Sequence, residues 1–232
     1  MEFAIVPPAQ AAIPVAGSAA VFPVRRIYCV GRNYAAHARE MGADPSREAP
    51  FFFCKPADAA VPVVPGVPTA LPYPASTKDF HYEAELVVAI GLGGADIPVE
   101  AVPGHIWGYT VGLDMTRRDL QAALKAKGHP WEAAKAFDRS APIAPLVPVA
   151  ACGHPQAGAI WLTVNGRRRQ QGDLGEMIWS VAEIVARLST LFRLEPGDLI
   201  FTGTPEGVGP VVPGDAIEAG VEGVGRLALA IA

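Results

Sequence analysis

The chain has 232 residues, enough for one sizeable core and short for two ordinary domains. It is 50% hydrophobic and 18% charged, which excludes a disordered chain, and its net charge of −4 speaks against nucleic acid or an anionic membrane surface as a partner. Gly (24) and Pro (23) are both abundant, which favours a turn-rich, β-rich fold.

The N-terminus, MEFAIVPPAQ, lacks a basic leader region. The apolar segment AAIPVAGSAAVFPV is broken by Pro14 and Pro23 and is too short to span a bilayer, so neither a signal peptide nor an anchor is predicted. Residues 1–24 read as a strand followed by a loose Ala/Pro-rich arm, and residues 25–232 as a single β-rich domain. RRIYCVG (25–31) is a short β run, and NYAAHAREMG (33–42) a short helix with a Gly stop. PFFFCKP (50–56) is an apolar strand bounded by Pro, whereas the prolines of 61–74 leave that stretch as loop or sheet edge. Cys29, Cys54 and Cys152 form no CxxC pair. The apolar contexts of Cys29 and Cys54 predict buried, reduced thiols and a cytoplasmic protein.

DFHYEAEL (79–86) continues through Val88 and Ile90 to Gly91 as a strand. Alternation puts Asp79, His81, Glu83 and Glu85 on one face and Phe80, Tyr82, Ala84 and Leu86 on the other. A solvated polar face is the ordinary reading. Glu is nevertheless depleted in strands, and carboxylates about 7 Å apart repel unless a cation lies between them. GHIWGYTVGLD (104–114) is a strand ending in an acid, followed by a helix over 115–128 in which Thr116 and Asp119 approximate a capping box. AIWLTVNGRRRQ (159–170) carries the Asn165-Gly166 hairpin signal, which places Arg167 to Arg169 in solvent. GEMIWSVAEIVARLSTLF (175–192) is the longest amphipathic helix, with Met177, Ile178, Val181, Ile184, Val185, Leu188, Leu191 and Phe192 as its core face. The tail reads as strands and Gly/Pro turns.

Several of these residues have chemical potential, each beside a plainer alternative. Glu83, Glu85 and Asp114 would make an all-oxygen site suited to Mg²⁺, Mn²⁺ or Ca²⁺ rather than zinc, although Asp114 reads equally as a turn residue. His37 and Glu40 share a helical face, as a base and the carboxylate that orients it or as an ordinary surface pair. Lys135 sits among apolar neighbours, as an oxyanion stabiliser or a solvated amine. FTGTPEGVGP (201–210) offers backbone N–H groups to a carboxylate, or is simply a turn. P-loop, GxSxG and Cys/His/Asn patterns are absent, so neither phosphate binding nor covalent catalysis is predicted.

VGRNYAAHAREMG, FHYEAEL, GYTVGLDMTRRDLQ, AKAFDRSAP, VNGRRRQQGDLGEMIWS and GDLIFTGTPEGVGPV occur in this order along the chain. Together they resemble the fumarylacetoacetate hydrolase family, in particular its small acylpyruvase and fumarylpyruvate hydrolase members. The resemblance implies an α+β fold, a mixed β-rich roll with a few peripheral helices, and a homodimer carrying a divalent metal, Mg²⁺ first and Mn²⁺ or Ca²⁺ as alternatives. It implies Glu83, Glu85 and Asp114 as ligands, His37 with Glu40 as the water-activating pair on a lid, and Lys135 as a charge stabiliser. Arg118, Gln121 and Thr204, with Arg32 and Asn33 in the entry loop, are implied as substrate contacts. Larger members add a fourth acidic ligand. This chain has no acid between Glu2 and Glu40, so water is expected there.

The implied reaction is cleavage of a C–C bond in a 2,4-dioxo acid, fumarylpyruvate or a related acylpyruvate, to pyruvate and a carboxylic acid. Oxaloacetate decarboxylation, the family's isomerase and decarboxylase reactions, and a structural metal in a non-enzymatic domain stand as alternatives.

Overall fold

The computed structural model describes residues 3–42 and 48–232. Its centre is an eight-stranded mixed sheet whose main path runs Phe52–Lys55, Ile27–Val30, Leu199–Phe201, Ala84–Ile90, Ile106–Leu113, Ala141–Ile143 and Ala60–Pro62. Val147–Pro148 pairs with Ile106–Leu113 off that path. Most pairs are antiparallel, but Leu199–Phe201 runs parallel to Ile27–Val30 and Ala141–Ile143 parallel to Ala60–Pro62.

A five-stranded sheet packs beside it, in the order Arg167–Asp173, Ala159–Val164, Ala216–Val221, Gly225–Ile231 and Thr69–Leu71. A small sheet of Thr116–Arg117, Phe80–Tyr82 and Gly209–Val211 stands at the end that carries the site.

Every residue of Ala84–Ile90 is buried, because both faces of this strand are covered. Leu86, Val88 and Ile90 pack with Ile160, Ile217 and Ile184, whereas Val87 and Ala89 pack with Ile13, Phe22 and Phe201. Ile13 and Phe22 come from a hairpin of Ala12–Pro14 and Val21–Pro23. The opening strand predicted in residues 1–24 is therefore a pair, and it packs on the central sheet instead of trailing as a loose arm.

Several other expectations do not hold. The strand expected over 79–90 breaks at Glu83, where the chain passes from the small sheet into the large one. The helix expected over 115–128 spans Arg118–Ala126 only. Thr116 is a strand residue whose hydroxyl donates to the Asp114 carbonyl, and Asp119 accepts from Thr77 and Lys78, so the two do not form a capping box.

The helix expected over 175–192 spans Val181–Leu191. It starts at a capping box that the sequence reading passed over, with Ser180 as N-cap and Glu183 as its partner. Leu191 (53% exposed) and Phe192 (39%) lie outside the core, and Cys54 is exposed rather than buried. The hairpin at Asn165-Gly166 forms as predicted, with positive φ at both residues, and Arg167 to Arg169 are exposed. Residues 61–74 supply only short edge strands, as their prolines require.

Asn33 ties these pieces together at the site. Its side-chain amide accepts from Trp179 N (2.8 Å) and donates to Trp179 O (2.9 Å) and Thr202 O (2.8 Å). Asn33→Ala leaves buried backbone groups unpaired, and a loss of about 3 kcal/mol is expected in urea unfolding. An unchanged midpoint would mean that the clamp contributes nothing.

Candidate active site

Two sheet features bring three acids together. Glu83 is the joint between the small and large sheets, Glu85 sits two residues further opposite Gly112, and Asp114 directly follows the neighbouring strand Ile106–Leu113. Asp114 N–H donates to the Glu83 carbonyl at 2.9 Å, which fixes the two strand ends against each other. One carboxylate oxygen from each acid lies within 4.8 Å of the others, and all three residues are buried.

Three cations face this cluster. Lys135 Nζ donates to Glu83 Oε2 and Asp114 Oδ2, both at 2.7 Å. Arg118 donates to Glu83 Oε1 at 2.6 Å and to Gln121 Oε1 at 2.5 Å. Lys55, which the sequence reading passed over, places Nζ 2.7 Å from Asp114 Oδ1 while donating to the Lys135 and Met115 carbonyls. Despite that ion pair, Asp114 Oδ1 is buried and receives no aligned hydrogen bond.

The electrostatics follow from this placement. Burial opposes ionisation of Glu83, but Lys135 and Arg118 outweigh it and hold the carboxyl well below the usual range. Burial, with Asp114 and Glu83 alongside, pushes the Glu85 carboxyl well above its usual range. Its one stabilising donor is Gly203 N–H, 2.6 Å from Oε2. Burial opposes the charge on Lys135, yet Asp114 and Glu83 raise its pKa. The result is a buried carboxylate set with one oxygen short of a hydrogen bond and one acid short of a countercharge. Such a set fits a hard divalent cation held by oxygen ligands.

The remaining candidates line the same cleft: His37, Arg32, Gln121 and Thr204 all border it. His37, on the helix Ala35–Glu40, places Nδ1 3.1 Å from Glu40 Oε2. The carboxylate accepts Nδ1–H, which leaves the Nε2 lone pair free for a proton. Gly207 N–H in turn donates to both Glu40 oxygens, at 3.1 and 3.2 Å.

Thr204 Oγ1 accepts from Gln170 Nε2 at 2.8 Å, so its own hydrogen remains available to an anion in the cleft. Gln170 is the second residue missed in the sequence, directly after the run Arg167 to Arg169 that reads as surface. Its visible signal is position, because it is the only fully buried residue of the strand Arg167–Asp173. Asn33 does not border the cleft, and both of its amide hydrogens are consumed by backbone carbonyls, so the substrate contact expected of it is replaced by the clamp.

Arg118 is further fixed by a relay. Its Nε donates to His81 Nδ1 at 3.4 Å, and His81 Nε2 lies 2.7 Å from Asp79 Oδ1. Burial and Arg118 lower the His81 pKa against the pull of Asp79, which favours the neutral ring that can accept from Arg118. Phe51, Phe53 and Trp131 form an aromatic wall, with the Trp131 ring 5.5 Å from Phe51 and 6.0 Å from Phe53.

Known proteins resemble this chain in fold and sequence. A structure of fumarylpyruvate hydrolase from Pseudomonas aeruginosa, in complex with Mn²⁺ and pyruvate, is 57% identical, covers 99% of each chain and superposes with a TM-score of 0.98. The fold is thus the mixed β-rich roll that the family resemblance implied. A mitochondrial oxaloacetate tautomerase of Mus musculus is 44% identical over 200 residues, 86% of this chain and 88% of its own. A mitochondrial oxaloacetate decarboxylase of Dictyostelium discoideum is 41% identical over 200 residues, 86% of this chain and 90% of its own. The family described as fumarylacetoacetate (FAA) hydrolase, C-terminal, matches residues 26–232, and the chain belongs to it.

Proposed function

We propose that the protein hydrolyses fumarylpyruvate, or a closely related acylpyruvate, to pyruvate and a carboxylic acid such as fumarate. The observation that carries this reading is the His37–Glu40 pair bordering the same cleft as the buried carboxylate triad. A base with its orienting carboxylate serves hydrolysis, where water must be activated, whereas breaking the C–C bond in simple loss of CO₂ requires no activated water.

A divalent ion held by Glu83, Glu85 and Asp114, with Mg²⁺ the first choice and Mn²⁺ next, would supply Lewis-acid stabilisation of negative charge on the pyruvate half of the substrate. The chain's own groups do the rest. His37 Nε2 takes a proton from water, and the hydroxide adds to the carbonyl carbon distal to the 2-oxo acid. Two hydrogens of the Lys135 ammonium are committed to Glu83 and Asp114, which leaves the third for the resulting oxyanion. Collapse forms the carboxylic acid and breaks the C–C bond, and the electron pair departs on the pyruvate carbon. The proton held by His37 returns to that carbon to give pyruvate. Thr204 and Gln121 orient the substrate, and the Glu40–Gly207 contact holds the base in place.

Oxaloacetate is the second reading, favoured by the tautomerase and decarboxylase relatives at 44% and 41% identity. The homodimer and the cytoplasmic location belong to the same proposal. Three free cysteines support a reducing compartment, and no helix among the described residues is long and apolar enough to cross a membrane.

Two measurements test the reading. Pyruvate release from fumarylpyruvate should need Mg²⁺ or Mn²⁺, stop with EDTA, and exceed that from acetylpyruvate and oxaloacetate. Preferential conversion of oxaloacetate would transfer the assignment to the second reading. His37→Ala should lower kcat on fumarylpyruvate by about 100-fold or more while Mn²⁺ still raises Tm. Undiminished turnover in that variant would remove His37 from the mechanism.

A further inference from the structure

The cleft wall formed by the helix Arg118–Ala126 is graded from floor to mouth. Arg118, Gln121 and Lys125 follow i, i+3, i+7 spacing, so they lie along one side of the helix, and all three border the cleft. Arg118 is bound to Glu83 at the floor, and Gln121 is buried against Arg118. Lys125 is exposed and stands about 10 Å further along the helix axis. Among the described residues its ammonium has one hydrogen bond, to the Met41 carbonyl at 3.5 Å, at the end of the helix that carries His37 and Glu40.

Arg32 borders the same cleft, with its guanidinium 5.6 Å from the centroid of Phe51. Its φ of +57° is the left-handed region that a residue with a Cβ adopts at a cost. Among the described residues neither Arg32 nor Lys125 has a carboxylate partner, whereas Lys55, Lys135 and Arg118 are all paired at the floor. The floor therefore has no spare cation for a second negative charge on a ligand. The mouth has two.

We propose that Lys125 and Arg32 form a carboxylate-reading subsite at the cleft mouth, selecting dioxo acids whose acyl tail ends in a carboxylate over those with a neutral tail. The proposal rests on the dioxo-acid reading above and deepens it by naming what distinguishes one tail from another. The head of such a substrate belongs at the triad. A flat, unsaturated tail runs past Phe51 and Trp131, and its terminal carboxylate reaches the two cations.

The test is the ratio of kcat/KM for fumarylpyruvate to that for acetylpyruvate, in the Mn²⁺-loaded full chain. It is measured for wild type, Lys125→Gln, Lys125→Arg and Arg32→Gln. Gln is as good a helix former as Lys, so Lys125→Gln keeps the helix. The ratio should fall about tenfold in Lys125→Gln and in Arg32→Gln, the size of one partly desolvated charge-assisted contact, and survive in Lys125→Arg. Equal losses on both substrates, leaving the ratio unchanged, would overturn the subsite.

If the wild type cleaves neither substrate, the hydrolase reading fails on its own. The subsite is then judged by the Tm shifts produced by fumarate and by crotonate, which carries a methyl in place of the second carboxylate. A larger shift with fumarate in wild type, lost in Lys125→Gln, sustains it. Equal shifts overturn it.

Discussion

Three carboxylates buried within a few ångströms of one another are the constraint around which the structure is arranged. Burial alone would neutralise such groups, and their mutual repulsion adds to the penalty. The fold answers with Lys135 between Glu83 and Asp114, Arg118 on the far oxygen of Glu83, and Lys55 beneath Asp114. Glu85 receives only a backbone donor, and that donor dictates its own residue type. Gly203 has a φ of +96°, and a Cβ there would lie 2.7 Å from the Asn33 Cβ, so only glycine brings the N–H to Glu85 while Asn33 keeps its clamp. Removing one member of this set would leave an uncompensated buried charge, which is the costly case for buried ion pairs.

The cations also divide the cleft by function. Lys55, Lys135 and Arg118 are occupied with the triad and act on a ligand only through what remains of their donors. The aromatic wall and the unpaired cations at the mouth are free of that duty. The buried carboxylates thus sit at the rigid sheet ends, whereas the proposed base, His37, enters from a short helix of six residues at the cleft edge. The contacts of Glu40 with His37 and Gly207 hold that helix over the triad.

Much of this was legible in the sequence because it is local. Alternation in DFHYEAEL put the two glutamates on one face, the acid closing GHIWGYTVGLD marked Asp114, and spacing put His37 and Glu40 on one helical face, although only the family resemblance made a base of that pair. Periodicity cannot register a strand that changes sheets, so the break at Glu83 was invisible, and with it the reason that both glutamates are buried. Helix starts went wrong where tertiary pairing overrode propensity. Met115–Arg117 could begin a helix, yet Thr116 pairs with His81 and Arg117 with Phe80. Lys55 and Gln170 were missed for a related reason. Each acts on residues roughly 60 or 34 positions away, at Asp114 and Thr204, and nothing in their immediate neighbours announces it. Leu191, Phe192 and Cys54 erred in the opposite direction, since apolar context does not fix which side of an element faces solvent.

The claim that most of the account depends on is that Glu83, Glu85 and Asp114 together hold a divalent ion. Calorimetric titration of the metal-stripped full chain with Mn²⁺ tests it directly, beside the variant Glu85→Gln, which keeps the size of the side chain and removes its charge. One Mn²⁺ bound per chain by wild type, with affinity weakened at least about tenfold in Glu85→Gln, is the predicted result. Equal binding by the two proteins, or none by wild type, would contradict it.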